Sequence, residues 1–254
     1  MARSSLLAPL GLLFLAGSQL LLWFVILSGV TRSPPLRQTY FLRADTSGIE
    51  GARAVSQWTY FQVCGLDNTD CGGSHPALPL GFAWAPHAAG APPDLIGKYG
   101  GDTTSHYYWY MWRFGWVFFL LALFFEVLAF FGGLFALCSR LVSGFAGLLS
   151  LVALFFFTIA VSMMTATFVK MRNVFTGEGR AANVGSYAFG FSWGSWAALL
   201  IATALFFAAS RKRTSSADPV VPAANPGKKR GLWPFGKGKG TKAADGRRVK
   251  EDYA

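Results

Sequence analysis

Four long apolar runs, separated by polar segments of very unequal length, dominate the 254-residue chain. They cover residues 6–30, 114–137, 141–169 and 187–210, and each exceeds the roughly 20 residues that a helix rising about 1.5 Å per residue needs to cross hydrocarbon. The runs predict four transmembrane helices, spans one to four. Residues 138–140 are the whole connection between spans two and three, so these two form an antiparallel hairpin. A cleaved signal peptide is the competing reading of the first run. Such a segment has an apolar core of about 7 to 15 residues, and cleavage near Ser18 leaves Leu20 to Val30 as an exposed apolar start. An uncleaved first span is the expectation, and Pro9 in its first turn does not disturb it.

The long polar segment, residues 31–113, contains a β-branched and aromatic stretch, Ala54 to Val63, that predicts a strand ending at Cys64. Beyond Cys71 the chain turns to Gly, Pro, Ala and His, with Pro76, Pro79, Pro86, Pro92 and Pro93, which predicts an irregular lobe. The entrance to span two is aromatic, with Tyr107, Tyr108, Trp109, Tyr110, Trp112 and Trp116, rings that favour the headgroup zone. Three cysteines are too few for a disulfide scaffold. One loop disulfide, Cys64 to Cys71, plus a lone thiol at Cys138 is the economical reading.

Composition fits this picture. Hydrophobic residues make up 53% and charged residues 14%, where a soluble domain carries about 25% charged. The net charge of +11 points to nucleic acid until it is placed along the chain. Residues 211–254 hold twelve Lys and Arg against four Asp and Glu, whereas residues 31–113 hold six of each. A basic tail beside a span meets anionic lipid first, so a nucleic-acid partner is not expected. With an even number of spans both termini share a side. Arg3, Arg140 and the twelve tail cations outnumber the nine in the two opposite segments, which places residues 1–5, 138–140 and 211–254 in the cytosol. Residues 31–113 and 170–186 are then extracellular, where Cys64 and Cys71 can oxidise.

The cluster Trp58, Tyr60, Cys64-Gly65 and Cys71 in the first outer loop, together with the aromatic, small-residue start of span four (Tyr187, Phe189, Gly190, Phe191, Trp193), resembles the fungal Sur-seven/PalI family. That resemblance implies an all-α membrane protein: a claudin-like four-transmembrane-helix bundle with a small disulfide-containing extracellular loop domain that has room for short β-strands. It also implies a plasma-membrane organiser in compartments scaffolded by eisosomes, tied to endocytosis, cell-wall integrity or sporulation, with other membrane or eisosomal scaffold proteins as partners. The PalI branch implies an accessory role in ambient-pH signalling. Its long tail is not matched by the 44 residues here. The Trp-Leu-Trp cluster of animal claudins is not matched either, since Tyr60 stands in it, so junctional function does not carry over.

Within the spans, Ser186, Gly190, Gly194, Ala198 and Ala202 recur every fourth residue and line one helix face with small side chains. That face packs on span one or three, or on a second copy. Glu126 sits midway along span two, where an ionised carboxylate costs on the order of 3 kcal/mol. The expectation is a neutral acid bonded to Ser150, Thr158 or Ser162 in span three; a proton path in a small transporter or channel is the competitor.

In the tail, Arg211, Lys212 and Arg213, then Lys228, Lys229 and Arg230, flank Trp233 and Phe235, a composition suited to anionic inner-leaflet lipids. Thr214, Ser215 and Ser216 follow basic residues as candidate phosphorylation sites, and Cys138 is placed for palmitoylation. His75, His87, His106, Asp94 and Asp102 match no metal-site spacing. No catalytic motif or glycosylation sequon occurs, so no enzyme activity and no cofactor is expected.

Overall fold

The computed structural model describes residues 6–31, 33–136 and 140–211. Four helices frame it: α1 (Leu7–Ile26), α2 (His106–Ala136), α3 (Arg140–Gly177) and α4 (Ser186–Ser210). All four are long and apolar enough to cross a membrane, as the runs predict. Cys138 and the tail residues Lys212, Arg213, Thr214, Ser215, Ser216, Lys228, Lys229, Arg230, Trp233 and Phe235 lie outside the described residues.

Helix α1 packs on α4 and more lightly on α2; α2 lies along α3, and α3 along α4. The inward faces follow helical spacing. Leu15, Ser18, Leu22 and Val25 are buried on α1, and Ala188, Ser192, Ser195, Leu199 and Phe206 on α4. The outward faces are just as apolar: Leu13, Leu20, Phe124, Phe131 and Phe155 are each more than half exposed. Helices apolar all round need hydrocarbon outside as well as protein inside.

Two helices extend beyond their apolar runs. Helix α2 starts at His106 and α3 continues to Gly177, where the hydrophobic pattern placed the limits at 114 and 169. At about 1.5 Å per residue they reach roughly 46 and 57 Å, well past the roughly 30 Å of a bilayer core. The extensions are stabilised by packing. Tyr108 and Trp112 are buried on α2, and Met171 and Phe175 on α3. The aromatic entrance is therefore split: Tyr108, Trp112 and Trp116 belong to the core, while Tyr107 and Tyr110 stay exposed.

A four-stranded antiparallel sheet caps this end, in the order β3-β2-β1-β4. Its strands are β1 (Leu42–Asp45), β2 (Val55–Trp58), β3 (Val63–Cys64) and β4 (Ala182–Val184). The single strand expected over 54–63 is two strands, because the chain turns at Thr59, whose amide donates to the Gln62 carbonyl at 2.9 Å. Strand β4 comes from the segment between α3 and α4 and pairs with β1, Ala182 opposite Ala44 and Val184 opposite Leu42. The lobe beyond Cys71 is irregular, as its composition predicts. It is held by the Trp84 indole donating to the Thr103 carbonyl at 3.1 Å and the Gly81 amide donating to Thr104 Oγ1 at 2.9 Å.

Candidate functional site: a disulfide-pinned cap and an intramembrane polar cluster

The cap is built around residues the sequence singled out. Trp58, at the end of β2, is buried, and its indole donates to the Leu80 carbonyl at 2.8 Å, tying the sheet to the irregular lobe. The chain then turns so that Tyr60 points at α2, where its hydroxyl donates to the Trp116 carbonyl. Cys64 on β3 is joined to Cys71 by a disulfide. Between them, the Asn68 amide donates to Gln57 Oε1 at 2.8 Å, and the Asn68 side chain donates to the Leu36 and Thr39 carbonyls. The Gly65 amide closes the same loop by donating to the Thr69 carbonyl at 2.7 Å. All five motif residues thus serve one small structure.

This structure is fastened to the end of α1. Ser28 Oγ accepts the Tyr60 N–H at 3.1 Å. Gly29 has φ +81, and a Cβ there would meet Thr59 Oγ1 at 2.6 Å, so the close approach needs glycine. Phe41, which no local pattern singles out, is fully buried just before β1. It stacks on Phe168 of α3 at 5.1 Å and meets Trp112 of α2 and Phe189 of α4 edge-on. One ring therefore joins the sheet to three helices.

Arg180, in the turn before β4, pins the outer edge. It donates to the Ser47 carbonyl at 2.7 Å and to the Gly90 carbonyl at 2.9 Å. Asp45 beside it accepts from the Ser47 hydroxyl and amide, which hold its carboxyl below the usual range, with the Arg180 charge adding to the effect. Asp70 is likewise held low by the hydrogen bond from Arg53 and by its charge. No group of three or more His, Cys, Asp or Glu able to hold a metal occurs among the described residues. His87 and Asp102 do come within 3.6 Å of each other on the exposed lobe.

Glu126 corrects one expectation. It is fully buried, and its partner is Ser18 of α1, whose Oγ lies 3.2 and 3.3 Å from the two carboxyl oxygens. The span-three candidates are engaged otherwise. Ser150 and Thr158 donate to their own helix at Ala146 and Leu154, and Ser162 is exposed. Ser18 in turn meets Ser195 of α4, so the cluster joins three helices. Its sequence signal was a lone mid-run hydroxyl, which invited reading as a cleavage site.

The small-residue stripe of α4 changes character along its length. Ala202 is buried, Gly194 sits 3.4 Å from Leu21 of α1 by the position its Cβ would take, and Ala198 borders a groove with Gly17 of α1. Ser186 and Gly190 are exposed, and a Cβ on Gly190 would meet nothing. The cap-distal part of the stripe therefore packs on span one, and the part nearer the cap stays open.

Four membrane-length helices under a disulfide-bearing sheet define a multi-pass membrane protein. Residues 7–205 match the model of the SUR7/PalI family, and the chain belongs to that family. It is 37% identical to Protein SUR7 of Candida albicans over 201 residues, spanning 78% of this chain and 72% of that protein. A SUR7 family protein of Saccharomyces cerevisiae is 34% identical over 199 residues, spanning 74% of this chain and 61% of its own. Another protein of that yeast, described as an uncharacterized plasma membrane protein, is 28% identical over 191 residues, spanning 72% and 62%. The motif cluster and all but the last residues of α4 fall inside the matched region.

Proposed function

We propose that this protein is a non-enzymatic organiser of plasma-membrane domains, with the cap outside the cell and both termini in the cytosol. The observation that carries the reading is family membership across residues 7–205, with the Trp58, Tyr60, Cys64 and Cys71 cap assembled on the bundle. A relative named as a plasma membrane protein supports the location. The excess of Lys and Arg at the tail end supports the orientation.

In this reading the bundle meets neighbours through helix faces, and the tail meets anionic lipid. The open part of the α4 stripe, Ser186 and Gly190, gives a second copy room for close approach. The tail cations near Arg211 add about 1 kcal/mol each at an anionic leaflet, an attraction that salt screens.

A C-terminal fluorescent fusion in a fungal cell, bleached in a cortical spot, tests the role. Stable patches that do not refill support the organiser. A uniformly distributed signal that recovers quickly sinks it, and loss of alkaline growth in the deletion strain without a change in cortical patches selects the pH-signalling branch instead.

A further inference from the structure

The buried acid of the bundle touches a hydroxyl that is already committed. Ser195 Oγ donates to the Ser18 carbonyl at 2.8 Å. Ser18 Oγ lies 2.9 Å from the Ser195 carbonyl and 2.9 Å from Ser195 Oγ, both shorter than its contacts with Glu126 Oε1 and Oε2. Two hydroxyl hydrogens serve all of these contacts. With one on the Ser18 carbonyl and the other on the Ser195 carbonyl, Ser18 presents only lone pairs to Glu126.

Among the described residues no cation balances the acid. Helices α1 and α4 carry no Lys, Arg or His, the nearest on α2 is Arg113, and those of α3 are Arg140, Lys170 and Arg172 toward its ends. An ionised carboxylate facing lone pairs, fully buried in an apolar bundle, is strongly disfavoured. A carboxylic acid supplies the missing hydrogen.

We propose that Glu126 is a neutral carboxylic acid donating to Ser18 Oγ, and that this bond clamps α1 so that the disulfide turn of the cap stays in place. The link to the cap is short. Beyond α1, Ser28 Oγ accepts the Tyr60 amide, and Gly29 abuts Thr59. Helix α1 is therefore held in mid-helix by α2 and α4, and at its end by the turn that leads into Cys64. Releasing the first hold lets α1 shift, and the Tyr60 amide loses its acceptor.

The test uses the full chain in lipid nanodiscs. Glutamate labelling with carbon-13 should shift a carboxylic-acid carbonyl band in the infrared spectrum at neutral pH, and Glu126→Gln should remove that band. Glu126→Leu should speed hydrogen exchange at the Tyr60 amide about five- to tenfold, the population change that follows loss of one hydrogen bond. Glu126→Gln, whose amide still donates to Ser18, should leave that exchange near wild type. If Glu126→Leu does not fold, Ser18→Ala, which deletes a single oxygen, should give the same acceleration. An absent acid band, a band that survives Glu126→Gln, or unchanged Tyr60 exchange in the folded clamp variant overturns the proposal.

Discussion

Tyr60 and Trp116 exchange hydrogen bonds: the phenol donates to the Trp116 carbonyl at 2.7 Å, the indole donates to the Tyr60 carbonyl at 3.1 Å, and the rings stack 5.4 Å apart. Burial pushes the phenol's pKa up, so it keeps its proton, and its donor role, at neutral and mildly alkaline pH. Tyr60→Phe should cost about 1 kcal/mol of stability. Trp116→Phe should cost more, because it also opens space. Each bond ends on the other residue's backbone carbonyl, which both substitutions leave in place, so in a double-mutant cycle the two costs should add to within about 0.5 kcal/mol. Unfolding in detergent measures all three, and a coupling well beyond that would show that one bond cannot form without the other.

The disulfide closes a small loop, Cys64 to Cys71. The chain-entropy relation assigns about 2.5 kcal/mol to a ring of this size. Replacing both cysteines with serine should lower stability by about that amount and leave the four helices formed. Circular dichroism and unfolding midpoints with and without reductant check this; loss of helical signal on reduction would mean that the bundle depends on the bond.

Arg180 holds two carbonyls that belong to different parts of the lobe. Arg180→Ala should cost about 1 to 2 kcal/mol and make residues 47–90 easier to nick by protease. Arg180→Lys should rescue only in part, because one ammonium does not reproduce the two-pronged guanidinium.

The neighbouring Asp45 adds a pH dependence of known sign. Its folded carboxyl ionises more readily than in the unfolded chain, through the Ser47 hydrogen bonds first and Arg180 last. The contribution is therefore complete above the ordinary carboxylate range and fades as pH falls through the folded value, below about 4. Acid-induced loosening of the cap, read by amide exchange at Ser47, should be blunted in Asp45→Asn. An identical acid response in that variant would exclude Asp45 as its source.

Two glycines at the start of α4 should respond in opposite ways. A Cβ on Gly185 would land on the Tyr40 carbonyl oxygen, whereas a Cβ on Gly190 meets open space. Gly185→Ala should destabilise by more than about 3 kcal/mol through forced backbone movement. Gly190→Ala should be neutral or slightly stabilising, as alanine is the better helix former. Gly194→Leu, lower on the same face against Leu21, should cost about 1 to 3 kcal/mol by overpacking. Thermal unfolding of the three variants ranks them, and a tolerated Gly185→Ala would refute the close approach of Gly185 to the Tyr40 carbonyl.

The parts visible in the sequence were those in which one local pattern decides the outcome. Apolar run length sets the four helices, and Trp58, Tyr60, Cys64 and Cys71 lie within fourteen residues of one another, so their cluster could be read directly. What stayed hidden depends on distant partners. The strand Ala182–Val184 is three residues long and exists because β1 offers an edge. Chain adjacency points Glu126 toward span three, its hairpin mate, but α2 turns that carboxyl toward Ser18 of α1. The α4 stripe has uniform spacing, yet a period of four drifts around a helix of 3.6 residues per turn. Its two ends therefore face different surroundings.

Because β1 and β4 are contributed by stretches more than a hundred residues apart, the cap is not a transplantable module. A chimera that imports only the first loop from a relative brings three strands and leaves the fourth behind, unmatched to its new neighbour. Specificity swaps between family members must carry both segments together, or the hybrid will report a broken sheet edge rather than a changed partner preference.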